Sequence, residues 1–347
     1  MEELKFCPST LKEGYNTYSP EACRKLFGGK QVPHILDFES PNSDSADSTD
    51  YAAHIGRISL SGVQPKGALV LHGAVLSKPG EGERGQYILK PAPVSYALLE
   101  RKYCPANEHL TMQMASQAYG IETAANALCF FRDGEAAYLT KRFDVAPDGT
   151  KYPQEDFASL AGLTKANGGS DYKYNTLSYE DCADIIRRYV RAAQVDLLRF
   201  FRMVLFNYIT LNDDAHLKNF SLIDRGNGDY RLSPAYDLIN TNLHLHEPRI
   251  FALEKGLFRE GMRMTDIHTV DRGDFEEFGR RIGLPERTIK REIDSFATES
   301  PLASELIERS FLSEKLKKDY RLSYQYRCFT LKEQLTTSMT GQCFIRI

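Results

Sequence analysis

Three side chains with oxygen donors, Asp214, Asn219 and Asp237, fall within one stretch, NYITLNDDAHLKNFSLIDRGNGDYRLSPAYDLI. Such a set suits a hard cation that keeps several waters and bridges phosphate oxygens, while a nearby carboxylate takes the proton of an attacking hydroxyl. Asp214 and Asn219 lie five positions apart, the separation between the catalytic Asp and the magnesium-binding Asn of protein-kinase catalytic loops. The spacing matters only if a scaffold returns Asp237 to Asn219. Phe220 to Asp224 reads as a strand, Gly226-Asn227-Gly228 as a turn and Tyr230 to Ser233 as the return strand, which supplies that scaffold. Taken alone, Asn212-Asp213-Asp214 is equally a helix end and turn, because Asp and Asn side chains bond their own backbone there.

A nucleotide needs a second half of the site. Upstream, ISLSGVQPKGALVL (Ile58 to Leu71) and QYILKPAP (Gln86 to Pro93) read as two apolar strands around a polar, glycine-containing turn. Ser59, Ser61 and Gly62 offer small side chains and backbone N–H groups that could cover phosphates, and Gly67 lets the chain continue without crowding. The segment lacks GxGxxG and Walker patterns, and a plain hairpin reads as well. Lys90 ends the run Tyr87-Ile88-Leu89, and Glu108 follows in NEHLTMQMASQAYG, where Leu110, Met114 and Ala118 recur at helical spacing and Gly120 terminates. A strand lysine held by a helix glutamate and aimed at the α/β-phosphates is the kinase arrangement.

The motifs SLSGVQPK, YILKP, NEH, KRFD, PQED, NDDAHLKN and LSPAYD, over about residues 55 to 240, resemble in their order those of the HipA-like serine/threonine kinases of bacterial toxin–antitoxin systems. The resemblance implies an α+β, two-lobed, protein-kinase-like fold. Residues 1–140 would form a β-rich, nucleotide-covering lobe and residues 141–347 a mainly helical catalytic lobe. It implies ATP and Mg²⁺ as cofactors and Asp214 as catalytic base. Asn219 and Asp237 would hold the metal, and Ser59, Ser61, Gly62, Lys90, Glu108 and Lys218 would bind the nucleotide. Lys141 and Phe143 would face the adenine through their backbone, Lys141 standing where the longer toxins tend to carry an acidic residue. The SLSG loop begins near residue 59, which leaves no room for the N-terminal subdomain of about a hundred residues in those toxins. The chain is therefore most similar to the short HipT-type branch, in which Ser59 and Ser61 would be autophosphorylated. The implied partners are a protein substrate such as an aminoacyl-tRNA synthetase and a small HipS-like or HipB-like antitoxin.

Composition limits the alternatives. A chain of 347 residues with 42% hydrophobic content can bury a sizeable core, and a net charge of −3 argues against general nucleic-acid binding. Seven dispersed cysteines without a CxxC pair point to a reducing, cytoplasmic compartment, although Cys7 and Cys23 could be remnants of a zinc site. The N-terminus has the wrong charge for a signal peptide, and Arg199 and Arg202 interrupt the most apolar stretch, Leu197 to Leu211, so no membrane segment is expected. That stretch reads as a buried helix delivering Asp214. Asp37 to Asp50, with five acidic and no basic residues, reads as a mobile loop. Leu163 to Thr176 reads as a polar insertion facing substrate. Ser178 and Asp181 read as a capping box; Phe275–Ile282, Glu286–Phe296 and Leu302–Tyr326 read as helices. His216 reads as a strut of its loop, with a metal ligand as the other option. Besides the protein kinase, a small-molecule kinase of aminoglycoside or choline type and a partner-binding pseudokinase remain open.

Overall fold

The protein is described from a computed structural model that covers residues 3–41, 65–94, 98–146, 149–226, 228–246, 249–263 and 269–332. Five short strands make one antiparallel sheet: β1 (Gly67–His72), β2 (Val75–Ser77), β3 (Tyr87–Pro91), β4 (Asn126–Phe130) and β5 (Ala136–Lys141), in the order β2-β1-β3-β5-β4. Side chains alternate across it. Leu69, Leu89, Ala127, Cys129 and Leu139 pack with the N-terminal segment, whose helix α1 (Pro20–Phe27) contributes Ala22, Leu26 and Phe27. Leu128 and Tyr138 join the larger cluster on the other side with Leu110 and Met112 of helix α2 (Cys104–Gln113). Ser19 caps α1 by accepting from the Ala22 N–H, and Gly28 ends it at φ 62°, a left-handed turn that glycine adopts without a steric cost.

Helix α2 carries the helical spacing read in the sequence. All ten of its residues are buried, because the sheet covers one side and the C-terminal helices the other. Its continuation, Met114–Ala118, widens to a π-turn, and Gly120 stops it at φ 60° as read.

The second half carries a three-stranded antiparallel sheet, β6-β7-β8, from β6 (Gln154–Asp156), β7 (Ser221–Asp224) and β8 (Tyr230–Leu232). The β7–β8 pair is the hairpin read in the sequence. Its turn is held by Asp224, whose carboxylate accepts from the N–H groups of Gly226 and Gly228 at 2.8 and 3.0 Å. Around it stand α3 (Tyr172–Asn175), α4 (Tyr179–Tyr189) and α5 (Ala193–Ile209). The Ser178–Asp181 capping box at the start of α4 is present. On α5, Asp196 accepts from the Leu232 N–H at 2.7 Å, which fixes the hairpin to the helix that leads into the Asp214 loop. Among the described residues no helix is long and apolar enough to cross a membrane.

The C-terminal part holds α6 (Arg272–Arg281), α7 (Glu286–Ala297), α8 (Pro301–Arg309) and α9 (Glu314–Thr330). The single helix read over Leu302–Tyr326 is in fact two. Ser310 is extended at φ −67°, ψ 163°, its hydroxyl donates back to the Ile307 carbonyl at 2.7 Å, and Ser313 starts α9 by accepting from the Leu316 N–H. Two serines that bond local backbone outweigh the continuous apolar period.

Helices α6 and α7 meet at Gly279, where a Cβ would stand 2.7 Å from Ile289 Cγ1, and Ile289 is fully buried. Gly279→Ala should therefore overpack this contact and lower the unfolding free energy by about 1–3 kcal/mol, measured by denaturant titration against wild type.

Candidate active site

Lys90 pairs with Tyr138 across β3 and β5, so its side chain leaves the sheet toward α2, with the ammonium 5.4 Å from the Tyr138 ring centroid. Only 1% of the residue is exposed. Glu108 of α2 meets the ammonium at 2.6 Å and Asp237 at 2.5 Å. A second lysine, Lys66, lies 3.7 Å from the other Asp237 oxygen. Gly67 pairs with Leu89, so the same register carries Lys66 opposite Lys90. Two ammonium groups facing each other would repel, and Asp237 between them removes that conflict.

The electrostatics follow from burial and these contacts. Burial opposes a charged Lys90, but Asp237 and Glu108 hold its pKa above the ordinary lysine range. Burial likewise opposes ionisation of Asp237, yet Lys66 and Lys90 hold its carboxyl well below the usual range. Burial pushes the Glu108 pKa above the usual carboxylate range against the pull of Lys90.

The second group stands on the loop after α5. Leu211 turns the chain at φ 50° and Asp237 lies at φ 56°, a conformation that is strained for side chains other than glycine and is found at functional sites. The Leu211 carbonyl accepts from both the N–H and the hydroxyl of Thr241, at 3.1 and 2.7 Å. Asn212 makes the turn: its side-chain oxygen accepts from the Asp214 N–H at 3.2 Å. The Asp214 carbonyl accepts from the His216 N–H at 2.8 Å and from the Asn219 amide at 2.7 Å. That contact uses the donor half of the amide and leaves its oxygen as the half suited to a cation. The Tyr174 hydroxyl donates to Asp214 Oδ1 at 2.9 Å. Burial raises the Asp214 pKa against the pull of Tyr174 and Lys173, and the charges of Asp237 and Lys90 also act on it. Asp214 lines a cavity of 480 Å³ together with Tyr174, Asp171, Asp213 and Leu245.

The structure thus brings together Lys90, Glu108 and Asp237, and joins Asp214 to Asn219 within one loop. Lys218 turns to Asp156, 2.6 Å away, while its carbonyl accepts from the Tyr236 hydroxyl. The N–H of Lys141 donates to the Ala125 carbonyl at 2.8 Å, as the end of a β-strand requires. The Phe143 ring packs on Tyr236, centroids 5.6 Å apart. Ser59, Ser61 and Gly62 lie outside the described residues, as does most of the acidic Asp37–Asp50 segment. His216 acts as a buried strut. Its Nε2 accepts from Lys173 at 3.0 Å, and burial, reinforced by Lys173, holds its pKa down at about 3. The six described cysteines are unpaired and buried, and Cys7 accepts from the backbone N–H of Ser19 and Thr10.

Sequence reasoning missed Lys66, Lys173 and Tyr174. Lys66 carried a signal, as the last residue of SLSGVQPK and by its register against Lys90. Tyr174 carried none beyond its place in a polar insertion.

Removing the Lys90 ammonium would leave Glu108 and Asp237 as buried carboxylates with their main partner gone. Lys90→Met should lower the unfolding free energy by about 3–5 kcal/mol, read from the midpoint of a denaturant curve; an unchanged midpoint would contradict the pairing.

Residues 58–303 match the profile of the HipA-like C-terminal domain. A candidate kinase of Haemophilus influenzae is 27% identical over 333 residues, covering 89% of this chain and 92% of the relative. The candidate kinase Y4mE of Sinorhizobium fredii is 30% identical over 254 residues, covering 70% of this chain and 56% of that longer protein. Among solved structures, the complex of the Shewanella oneidensis toxin HipA with HipB and operator DNA contains a chain that superposes with a TM-score of 0.65 at 19% identity, over 85% of this chain and 74% of that one. That likeness carries the fold: a mixed α+β, kinase-like architecture with a curled sheet and a helical C-terminal region. With the profile spanning 246 of 347 residues (303 − 58 + 1), the chain belongs to the HipA-like C-terminal domain family.

Proposed function

We propose that this chain is an ATP- and Mg²⁺-dependent protein serine/threonine kinase, acting as the toxin of a type II toxin–antitoxin pair. The observation that carries the reading is the buried Glu108–Lys90–Asp237 chain of contacts within electrostatic reach of a loop carboxylate, Asp214. Lys90 and Lys66 provide fixed positive charge for phosphate oxygens. Asn219 and Asp237 are the hard oxygen donors that would hold Mg²⁺, which when bound neutralises charge on the transferring phosphoryl group. The acceptor hydroxyl attacks the γ-phosphorus, forming a new O–P bond. The bond to the β–γ bridging oxygen breaks with its electron pair going to ADP, and the acceptor proton passes to Asp214. We place the boundary between the nucleotide-covering and catalytic lobes near residue 140, at the end of β5.

Relatives named as candidate kinases support the reaction class. The HipA neighbour is in complex with HipB and its operator DNA, which supports an antitoxin, HipB-like or HipS-like, as partner. A translation protein such as an aminoacyl-tRNA synthetase is the proposed substrate. One observation favours a small-molecule kinase instead: Asp171, Asp213 and Glu254 line the cavity beside Asp214, as a cationic acceptor would require. The lining is otherwise largely apolar, with Pro93, Leu98 and Ile239, and Arg249 lies 3.8 Å from Glu254, so we prefer a peptide acceptor.

Incubation with labelled ATP and Mg²⁺ should place phosphate on Ser59 or Ser61 of the wild type, located by mass spectrometry, and none on Asp214→Ala. Equal labelling of the two chains would remove Asp214 from the reaction. Transfer to a cationic small molecule, with no label on protein, would favour the alternative. Each phosphate carries about two negative charges, which would repel those of ATP. The doubly phosphorylated chain should therefore show no nucleotide binding by calorimetry, whereas affinity equal to the unmodified chain would end the autoinhibition proposal.

A further inference from the structure

The proton-accepting carboxylate is oriented differently from its backbone. Asn219, five residues on, bonds the Asp214 carbonyl and not the side chain. The side chain is instead engaged by Tyr174, which stands 40 residues earlier on α3 and donates to Asp214 Oδ1 at 2.9 Å. Three further contacts keep Tyr174 there. Its carbonyl accepts from the Glu254 N–H at 2.9 Å. Its ring meets the His216 ring edge-on, centroids 5.0 Å apart. Its neighbour Lys173 donates to His216 Nε2 at 3.0 Å, and His216 is 2% exposed. The short helix is thus bolted to the catalytic loop at two successive residues.

We propose that Tyr174 is the positioning residue of the catalytic base. Its hydrogen bond fixes the rotation of the Asp214 carboxylate toward the 480 Å³ cavity that both residues line, and the Lys173–His216 contact fixes Tyr174. A four-residue helix has little stability of its own, so these contacts hold it on the loop. The inference rests on the reading of Asp214 as proton acceptor. A carboxylate that must take a proton at the moment of attack gains from losing its rotational freedom beforehand.

A kinetic cycle over Tyr174→Phe and Asp214→Asn tests it. Loss of the hydroxyl should lower kcat about 10-fold in the wild-type background, since a misplaced base loses part of its contribution, while the KM for ATP and the affinity for ADP stay unchanged. In the Asp214→Asn background, whose residual rate is read by single-turnover transfer at high enzyme concentration, the same change should cost less than about 2-fold, because the two groups act as a unit. Lys173→Met, which loosens the His216 contact and also removes a positive charge that acts on Asp214, should lower kcat in the same direction. Equal losses in both backgrounds would mean that Tyr174 serves the fold alone, and a faster Tyr174→Phe would mean that it blocks the acceptor; either overturns the inference. No phosphoryl transfer by the wild type overturns the kinase reading itself, a result distinct from an active wild type matched by an equally active Tyr174→Phe.

Discussion

Lys90 can remain charged in the interior only because two carboxylates from distant parts of the chain reach it. Glu108 comes from a helix and Asp237 from the segment after a hairpin, so one ammonium ties the five-stranded sheet, α2 and the Asp237 segment together. Burial of an ion pair is a weak source of net stability, since desolvation offsets most of the attraction. Its effect is on geometry: any packing that moves α2 or Asp237 away leaves a buried charge without a partner. The placement of α2, enclosed on all sides, follows from this requirement as much as from its apolar residues.

The parts of the site that could be read in the sequence are those governed by local rules. The β7–β8 hairpin was legible because Gly226 and Gly228 mark a turn between two apolar runs, and the capping box of α4 because Ser178 and Asp181 lie three apart. Lys90 and Glu108 were legible through the order of motifs. Lys66 was not singled out because its role appears only when register is known: Gly67 opposite Leu89 places two lysines face to face. Tyr174 was illegible because nothing near it in the chain announces a partner 40 residues away. The break between α8 and α9 was missed for the opposite reason. An apolar period continues through Phe311 and Leu312, and only the bonding of Ser310 and Ser313 interrupts it.

The two groups of the site are held by different means, and the difference suits the roles proposed for them. Asp237 is surrounded by charge, with ammonium groups at both of its oxygens, so its ionisation is secured by electrostatics. Asp214 is more open, its side chain 29% exposed, and its geometry is secured by hydrogen bonds to backbone and to Tyr174. A group meant to hold a cation must stay charged, whereas a group meant to accept and release a proton must not be held too strongly in the charged form. Burial raises the Asp214 pKa while Tyr174 and Lys173 restrain that rise.

Strain accompanies this division. Leu211 and Asp237 both adopt left-handed backbone, and each lies where the chain must turn sharply to present a functional group. A bulky residue such as Leu211 keeps that conformation only if its surroundings over-determine it. Thr241 supplies the restraint, donating to the Leu211 carbonyl from both its N–H and its hydroxyl. Thr241 lies four residues beyond Asp237, so the turn that leads into the Asp214 loop is stabilised by the segment that carries the metal-binding candidate. The Asp214 loop and the Asp237 segment are thereby coupled through backbone, and displacement of either strains the other.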